Sequence, residues 1–149
     1  MTVAIVTIGL AICLSATMMG AWFVALRTGR SGWIDAIWSF ATGVSGATAA
    51  LLPLAGTAVF VRQVLVAALA LVWSLRLGIH IAVRTAQGGD DPRYAQLREE
   101  WGDAFKGRLF WFLQIQALAA LALVLSIAAA AHNPGPGLRL SDWLGVGCL

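Results

Sequence analysis

Charge is what this 149-residue sequence has least of: Asp, Glu, Lys and Arg together make up 11% of it, against roughly a quarter in an ordinary soluble domain. With 60% of the residues hydrophobic, a water-soluble fold is excluded, because a chain this short has too much surface per volume to hide so much apolar area. A bilayer removes the difficulty by acting as the apolar solvent. Cysteine is nearly absent. Cys13 and Cys148 lie far apart in apolar segments, without metal-ligand spacing and without any Cys/His cluster. Neither a disulfide framework nor a bound metal is implied, and both thiols are expected to be buried. Glycine-rich strand–turn–helix, Walker and zinc motifs are also missing, so any nucleotide must be held in a non-Rossmann manner, inside or under a helical bundle. The net charge of +3 comes from too few charges to mark a nucleic-acid partner. No basic residue precedes Arg27, and the first apolar run is too long for a signal-peptide core, so it reads as a retained first helix.

What remains is apolar sequence of spanning length. A transmembrane helix needs about 20 mostly apolar residues. Four stretches qualify, at about 3–26, 33–55, 58–83 and 109–131, and a further apolar run starts at about 141. The expected fold is therefore all-α, a polytopic transmembrane helix bundle of four full spans plus the start of a fifth, in one membrane domain. The residues 84–108 form a cytoplasmic connection carrying an interfacial helix. Seven Lys and Arg residues (Arg27, Arg30, Arg84, Arg93, Arg98, Lys106 and Arg108) fall on one side of this arrangement, and two, Arg62 and Arg139, on the other. The positive-inside rule then puts the N-terminus outside and the 84–108 connection in the cytoplasm. Ala41, Gly43, Gly46, Ala47, Ala49 and Ala50 crowd the second span and allow close helix packing. No internal repeat supports a transporter of the inverted-repeat kind.

Polar residues at membrane depth carry the functional signal. Asp35 sits in the first turn of the second span. Arg76 and His80 are four apart on the third, roughly 10 Å and 5 Å inside its cytoplasmic end. Trp38 shares a face with Asp35, and Trp73 precedes Arg76 by three, so both stripes can face one cavity. An ionised group in a membrane costs at least a few kcal/mol unless it is paired or hydrated, which favours the bundle interior and a functional role. The alternative is a structural Asp35–Arg76 ion pair, or an Asp35 that snorkels to the interface. Gln114 and Gln116 read as interhelical hydrogen-bonding groups.

The connection after Arg84 is the second constellation. Gly88 and Gly89 make a turn, Asp91 is a natural N-cap, and Pro92 suits the first helical position. The following helix puts Tyr94, Leu97, Trp101 and Phe105 on one face, to lie on the headgroups or cap the bundle. Five basic residues from Arg84 to Arg108 are matched by five carboxylates, and a neutral loop is a poor polybasic lipid anchor. Arginines held among carboxylates suit fixed recognition of a phosphate-bearing ligand; a solvated interfacial helix with local ion pairs is the alternative.

Three motifs carry a resemblance to a known family: Asp35-Ala-Ile-Trp38, Trp73-Ser-Leu-Arg-Leu-Gly-Ile-His80, and Asp90-Asp-Pro-Arg-Tyr94 after Arg84. Together with the Gln-containing fourth span they resemble the bacterial branch of the steroid 5α-reductase family over nearly the whole chain. That resemblance implies a seven-helix membrane enzyme that uses NADPH to reduce the carbon–carbon double bond of a Δ4-3-oxo steroid or related lipophilic enone. It implies catalytic roles for Asp35, Arg76 and His80, with Asp35 polarising the enone carbonyl, substrate contacts at Trp38 and Trp73, and cofactor contacts at Arg84, Asp91, Arg93 and Tyr94. The family's Arg-His-Pro-x-Tyr-type cofactor motif has no counterpart in these residues. A C-terminal half or a second chain is therefore expected to complete the cofactor site, and this chain by itself is not expected to turn over. Two other classes fit the residues: a membrane methyltransferase of the isoprenylcysteine type, using S-adenosylmethionine, and a non-enzymatic helical bundle. The expected location is the bacterial inner membrane.

Overall fold

A computed structural model of the chain describes residues 2–53, 60–88, 91–133, 138 and 140–147. Its elements are α1 (Thr2–Thr28), α2 (Gly32–Leu51), α3 (Phe60–Ala86), α4 (Pro92–Trp101), a 3-10 turn (Gly102–Ala104), α5 (Phe105–Ala131) and α6 (Leu140–Gly147). Among the described residues there is no strand. Three helical runs are long and apolar enough to cross a membrane: Val3–Thr28, Val61–Ala86 and Pro92–Ala131. The second expected span is not among them, because α2 is built largely from Gly, Ala, Ser and Thr and carries Asp35. It is also shorter than expected. Leu52 is extended at φ −67°, ψ 137°, since the ring of Pro53 disfavours helical backbone at the residue before it. The expected start of the third span at 58 lies outside the described residues. α5 starts four residues earlier than expected, because Gly102 at φ +47° breaks α4 and the 3-10 turn re-enters helix at once.

α2 is the hub, packed against α1, α3 and α5. Lipid supplies no hydrophobic drive between helices, so close contact and interhelical hydrogen bonds must hold them together. Gly43 lies so close to α3 that an added Cβ would collide with the Ser74 side chain, and one at Gly46 would meet Ile127 of α5 at 2.7 Å. Where α2 and α3 touch, Ser74 Oγ donates to the carbonyl of Ser39 at 2.9 Å. The expected role of the small residues is thus visible at the atoms. Leu14 and Met18 of α1, Ile34 of α2 and Leu109, Leu113 and Val124 of α5 are fully buried between the helices. Cys13, expected to be buried, is exposed beside Ile12 on the outer face of α1. A thiol is apolar enough to face lipid without a partner. Cys148 lies outside the described residues.

Both ends of the bundle are tied by polar groups. At one end Arg30 Nη1 donates to the carbonyls of Thr85 and Ala86, each at 3.2 Å, closing the last turn of α3. At the other, Arg62 is 2% exposed and donates to the Asn133 carbonyl at 2.7 Å. The ring nitrogens of His132 lie 2.8 Å from the carbonyls of Ala128 and Leu52. The helix breakers after α5 thus begin with a side chain that satisfies terminal carbonyls.

Candidate functional site

The site begins at the N-terminus of α4. Asp91, at φ −83° and ψ 120°, is extended and accepts from the Arg93 backbone N–H at 2.9 Å, with Pro92 in the first turn. This is the expected cap, which satisfies an amide the helix itself leaves without a partner. The helix so started turns Tyr94 inward, 3% exposed, while Leu97 and Trp101 pack against the core and Phe105 is buried. That apolar face brings α4 down on the bundle, over the first turn of α2 where Asp35 lies.

Arg93 then joins the two carboxylates. Its Nε lies 3.0 and 3.2 Å from Asp91 Oδ1 and Oδ2, and its Nη2 lies 2.6 Å from Asp91 Oδ2 and 2.9 Å from Asp35 Oδ2. The Tyr94 hydroxyl donates to Asp35 Oδ1 at 3.1 Å. Arg84 Nη2 approaches Asp91 Oδ2 at 3.8 Å. Five residues singled out in the sequence (Asp35, Arg84, Asp91, Arg93 and Tyr94) therefore form one connected network. The hydrogen bonds from the Arg93 side chain hold the Asp91 carboxyl below the usual carboxylate range, against the opposing effect of its burial. Short bonds between ionised partners are the strong ones. The Arg93 and Arg84 side chains remain 73% and 50% exposed, so both guanidinium groups can reach an incoming anion.

A cavity of about 240 Å³ opens beside this network, bounded by Asp35, Trp38, Ser39, Leu77, Ile81, Arg93 and Gln116. Trp38 forms one wall. Its Nε1 donates to the Gln116 carbonyl at 3.0 Å, and its ring meets Trp73 edge-on at 6.4 Å. Gln114 behaves as expected, accepting from Ser15 Oγ of α1 at 2.6 Å. Gln116 is a site residue that the sequence reasoning missed. Its polarity within an apolar helix was the available signal, and nothing in the spacing separated it from Gln114.

Arg76 and His80 are placed elsewhere. Both are exposed on α3 and line, with Trp73, Leu77 and Ile79, a separate groove of about 670 Å³. Leu77 borders both cavities. The expected single cavity is thus two, and the cation 2.9 Å from Asp35 is Arg93, not Arg76. The cause is helical rotation. Leu77 and Ile81 are one residue further round the helix than Arg76 and His80, about 100° in angle, and it is their stripe that faces Asp35.

Asp35 and Arg93 line the small cavity, with the Tyr94 phenol and, through Asp91, the Arg84 guanidinium tied to them from beside it, so hydrogen-bonding groups and exposed positive charge lie together there. The model of one protein family, DUF1295, described as a protein of unknown function, matches residues 21–149. No curated protein and no solved structure matches the chain.

Proposed function

Since the chain belongs to the DUF1295 family, whose steroid 5α-reductase kinship agrees with the motifs at Asp35, Trp73 and Asp90, we propose a membrane-embedded NADPH-dependent reductase acting on the C=C bond of a Δ4-3-oxo steroid or related lipophilic enone. The observation that carries the reading is the network in which Arg93 and Tyr94, beside the N-cap of α4, converge on Asp35 at the edge of a small cavity with both polar (Ser39, Gln116) and apolar (Trp38, Leu77, Ile81) walls.

The residues fit the cofactor in part. Arg84 and Arg93 are exposed guanidinium groups suited to phosphate. The cavity beside Asp35, at about 240 Å³, is too small for a dinucleotide, since pockets for drug-sized ligands start near 300 Å³. It suits the carbonyl end of an enone. Bound NADPH would supply the hydride. Asp35, carrying a proton, would donate to the enone oxygen, and the Tyr94 hydroxyl would hold the carboxyl in place through Oδ1. That role requires Arg93 to turn from Asp35 towards the cofactor's phosphates. Trp38 and Trp73 would line the substrate path, and Arg76 and His80 would face the nicotinamide end from their own groove.

In this reading α2 counts as a fourth full span, wrapped by its three apolar neighbours, ahead of the start of a fifth at α6. Seven of the ten Lys and Arg residues lie at the end that holds the network, which supports an N-terminus outside and a site opening to the cytoplasm from the bacterial inner membrane.

The test is enone-dependent NADPH oxidation by the purified full-length protein. Asp35→Asn, with the fold kept, should lower turnover by about a hundredfold or more. Undiminished turnover would remove Asp35 from the mechanism.

A further inference from the structure

The seam between α1 and α5 lies away from the Asp35 network. At its basic end is a pocket of about 430 Å³ whose rim carries Arg98, Lys106 and Asp103. Leu26, Phe105 and two glycines complete its lining: Gly29 at φ +69° follows α1 and Gly102 at φ +47° follows α4, and neither has any atom within 4 Å of an added Cβ. Deeper along the same seam runs a second groove of about 560 Å³, lined by Ile12, Ala16, Met19, Trp111 and Leu118 among others, with Ser15 and Gln114 bonded to each other inside it. α1 and α5 run antiparallel. The residue order from 29 down to 11 on one, and from 102 up to 121 on the other, therefore carries both cavities in register. Between them stands Trp22, its indole N–H donating to the Lys106 carbonyl at 2.9 Å and its ring against Phe110 at 5.8 Å. Tryptophans are enriched at the level where headgroup meets acyl chain, and Trp22 stands where the charged pocket gives way to the apolar groove.

The neutral sum of the 84–108 connection hides how its charges separate. Asp91 is taken up by Arg93 and Arg84, and Glu100 accepts from Gln96 at 2.8 Å, so these carboxylates are engaged within their own helix and its approach. Arg98, stacked over Phe105 at 5.0 Å, and Lys106 face the α1 side. Arg27 sits over Phe23 on α1 at 4.5 Å. We propose that this seam is a binding site for one anionic phospholipid, its phosphate held by Arg98 and Lys106 and an acyl chain laid in the apolar groove between α1 and α5. The charge of the pocket selects the head, and the apolar groove on the far side of Trp22 selects a ligand with a tail. A free phosphate would use only the first of the two.

The experiment measures the melting temperature of the detergent-solubilised protein as phosphatidylglycerol, phosphatidylcholine or inorganic phosphate is added, since a ligand that binds the folded state raises it. Phosphatidylglycerol should raise it, and the other two should have little effect. Arg98→Gln with Lys106→Gln should weaken the apparent affinity for phosphatidylglycerol by about tenfold or more, each variant being compared with its own unliganded value. Ala16→Phe, which fills the groove without touching the pocket, should weaken it too. Arg108→Gln removes one positive charge from the same end and should leave the response unchanged. An equal response to phosphatidylcholine, an equal response to inorganic phosphate, or an Arg108→Gln loss as large as that of the double variant would each overturn the proposal.

Discussion

Asp35 accepts from Arg93 on one oxygen and Tyr94 on the other, and the two partners make different predictions. Tyr94→Phe removes the bond that orients the carboxyl while keeping the buried ring. Turnover should fall with the substrate KM little changed, as expected for an interaction used mainly in the transition state; a rise in KM alone would contradict that role. Arg93→Gln removes the proposed phosphate contact, so the KM for NADPH should rise by about tenfold, which initial rates at varied NADPH would show. Asp91 acts through α4. Asp91→Ala should lower the stability of that helix by about 1 kcal/mol through loss of the cap, read as faster amide exchange in Tyr94 and Ala95. The pH dependence has a definite sign. Because Arg93 holds the folded-state value of Asp91 below its ordinary 3.8, the stabilisation is complete above that ordinary value and is lost as pH falls through the lower one. Exchange protection in α4, corrected for intrinsic rates, should be flat from about pH 7 to 5 and fall only in stronger acid. Loss already at about pH 5 would show that the ion pair is not holding the helix.

Among the helices, α2 decides the architecture by being small. Gly43→Ala should drive α2 from α3 at Ser74, at a cost of about 1–3 kcal/mol, whereas Gly20→Ala on α1 meets nothing within 4 Å and should not destabilise. Thermal unfolding of the two variants in one detergent makes the comparison, and equal effects would contradict the close packing. The same smallness explains what was legible in the sequence. α1, α3 and α5 announce themselves by long apolar runs, and the cap at Asp91 and the inward face Tyr94–Leu97–Trp101 were readable from local spacing. α2 was readable as a helix, but its end was not, because Pro53 acts on the backbone of Leu52 within an unbroken apolar run. The rotation of α3 was not readable either. Arg76 and Leu77 differ by one step in sequence, and only the packing of Gly78 on Phe40 and Ser74 on Ser39 settles which of them turns towards α2. That is why Asp35 was expected to share one cavity with Arg76, and in the structure meets Arg93 from a segment 58 residues away.

For the whole molecule, the packing places α4 against the end of the bundle, so that residues from α2, α3, α5 and the start of α4 meet at one small cavity. On the proposed reading, apolar helices would give a lipophilic substrate its route, and the exposed arginines would give a water-soluble cofactor its hold. The reductase and methyltransferase readings part at the nucleotide, and a non-enzymatic bundle parts from both by needing none. The most direct measurement is NADPH oxidation by the full-length protein with a Δ4-3-oxo steroid, run beside melting curves with NADPH and with S-adenosylmethionine. The account predicts oxidation that depends on the enone, its loss in Asp35→Asn, and a melting temperature raised by NADPH in both proteins. A protein stabilised by S-adenosylmethionine and not by NADPH, with no enone-dependent oxidation, would contradict it.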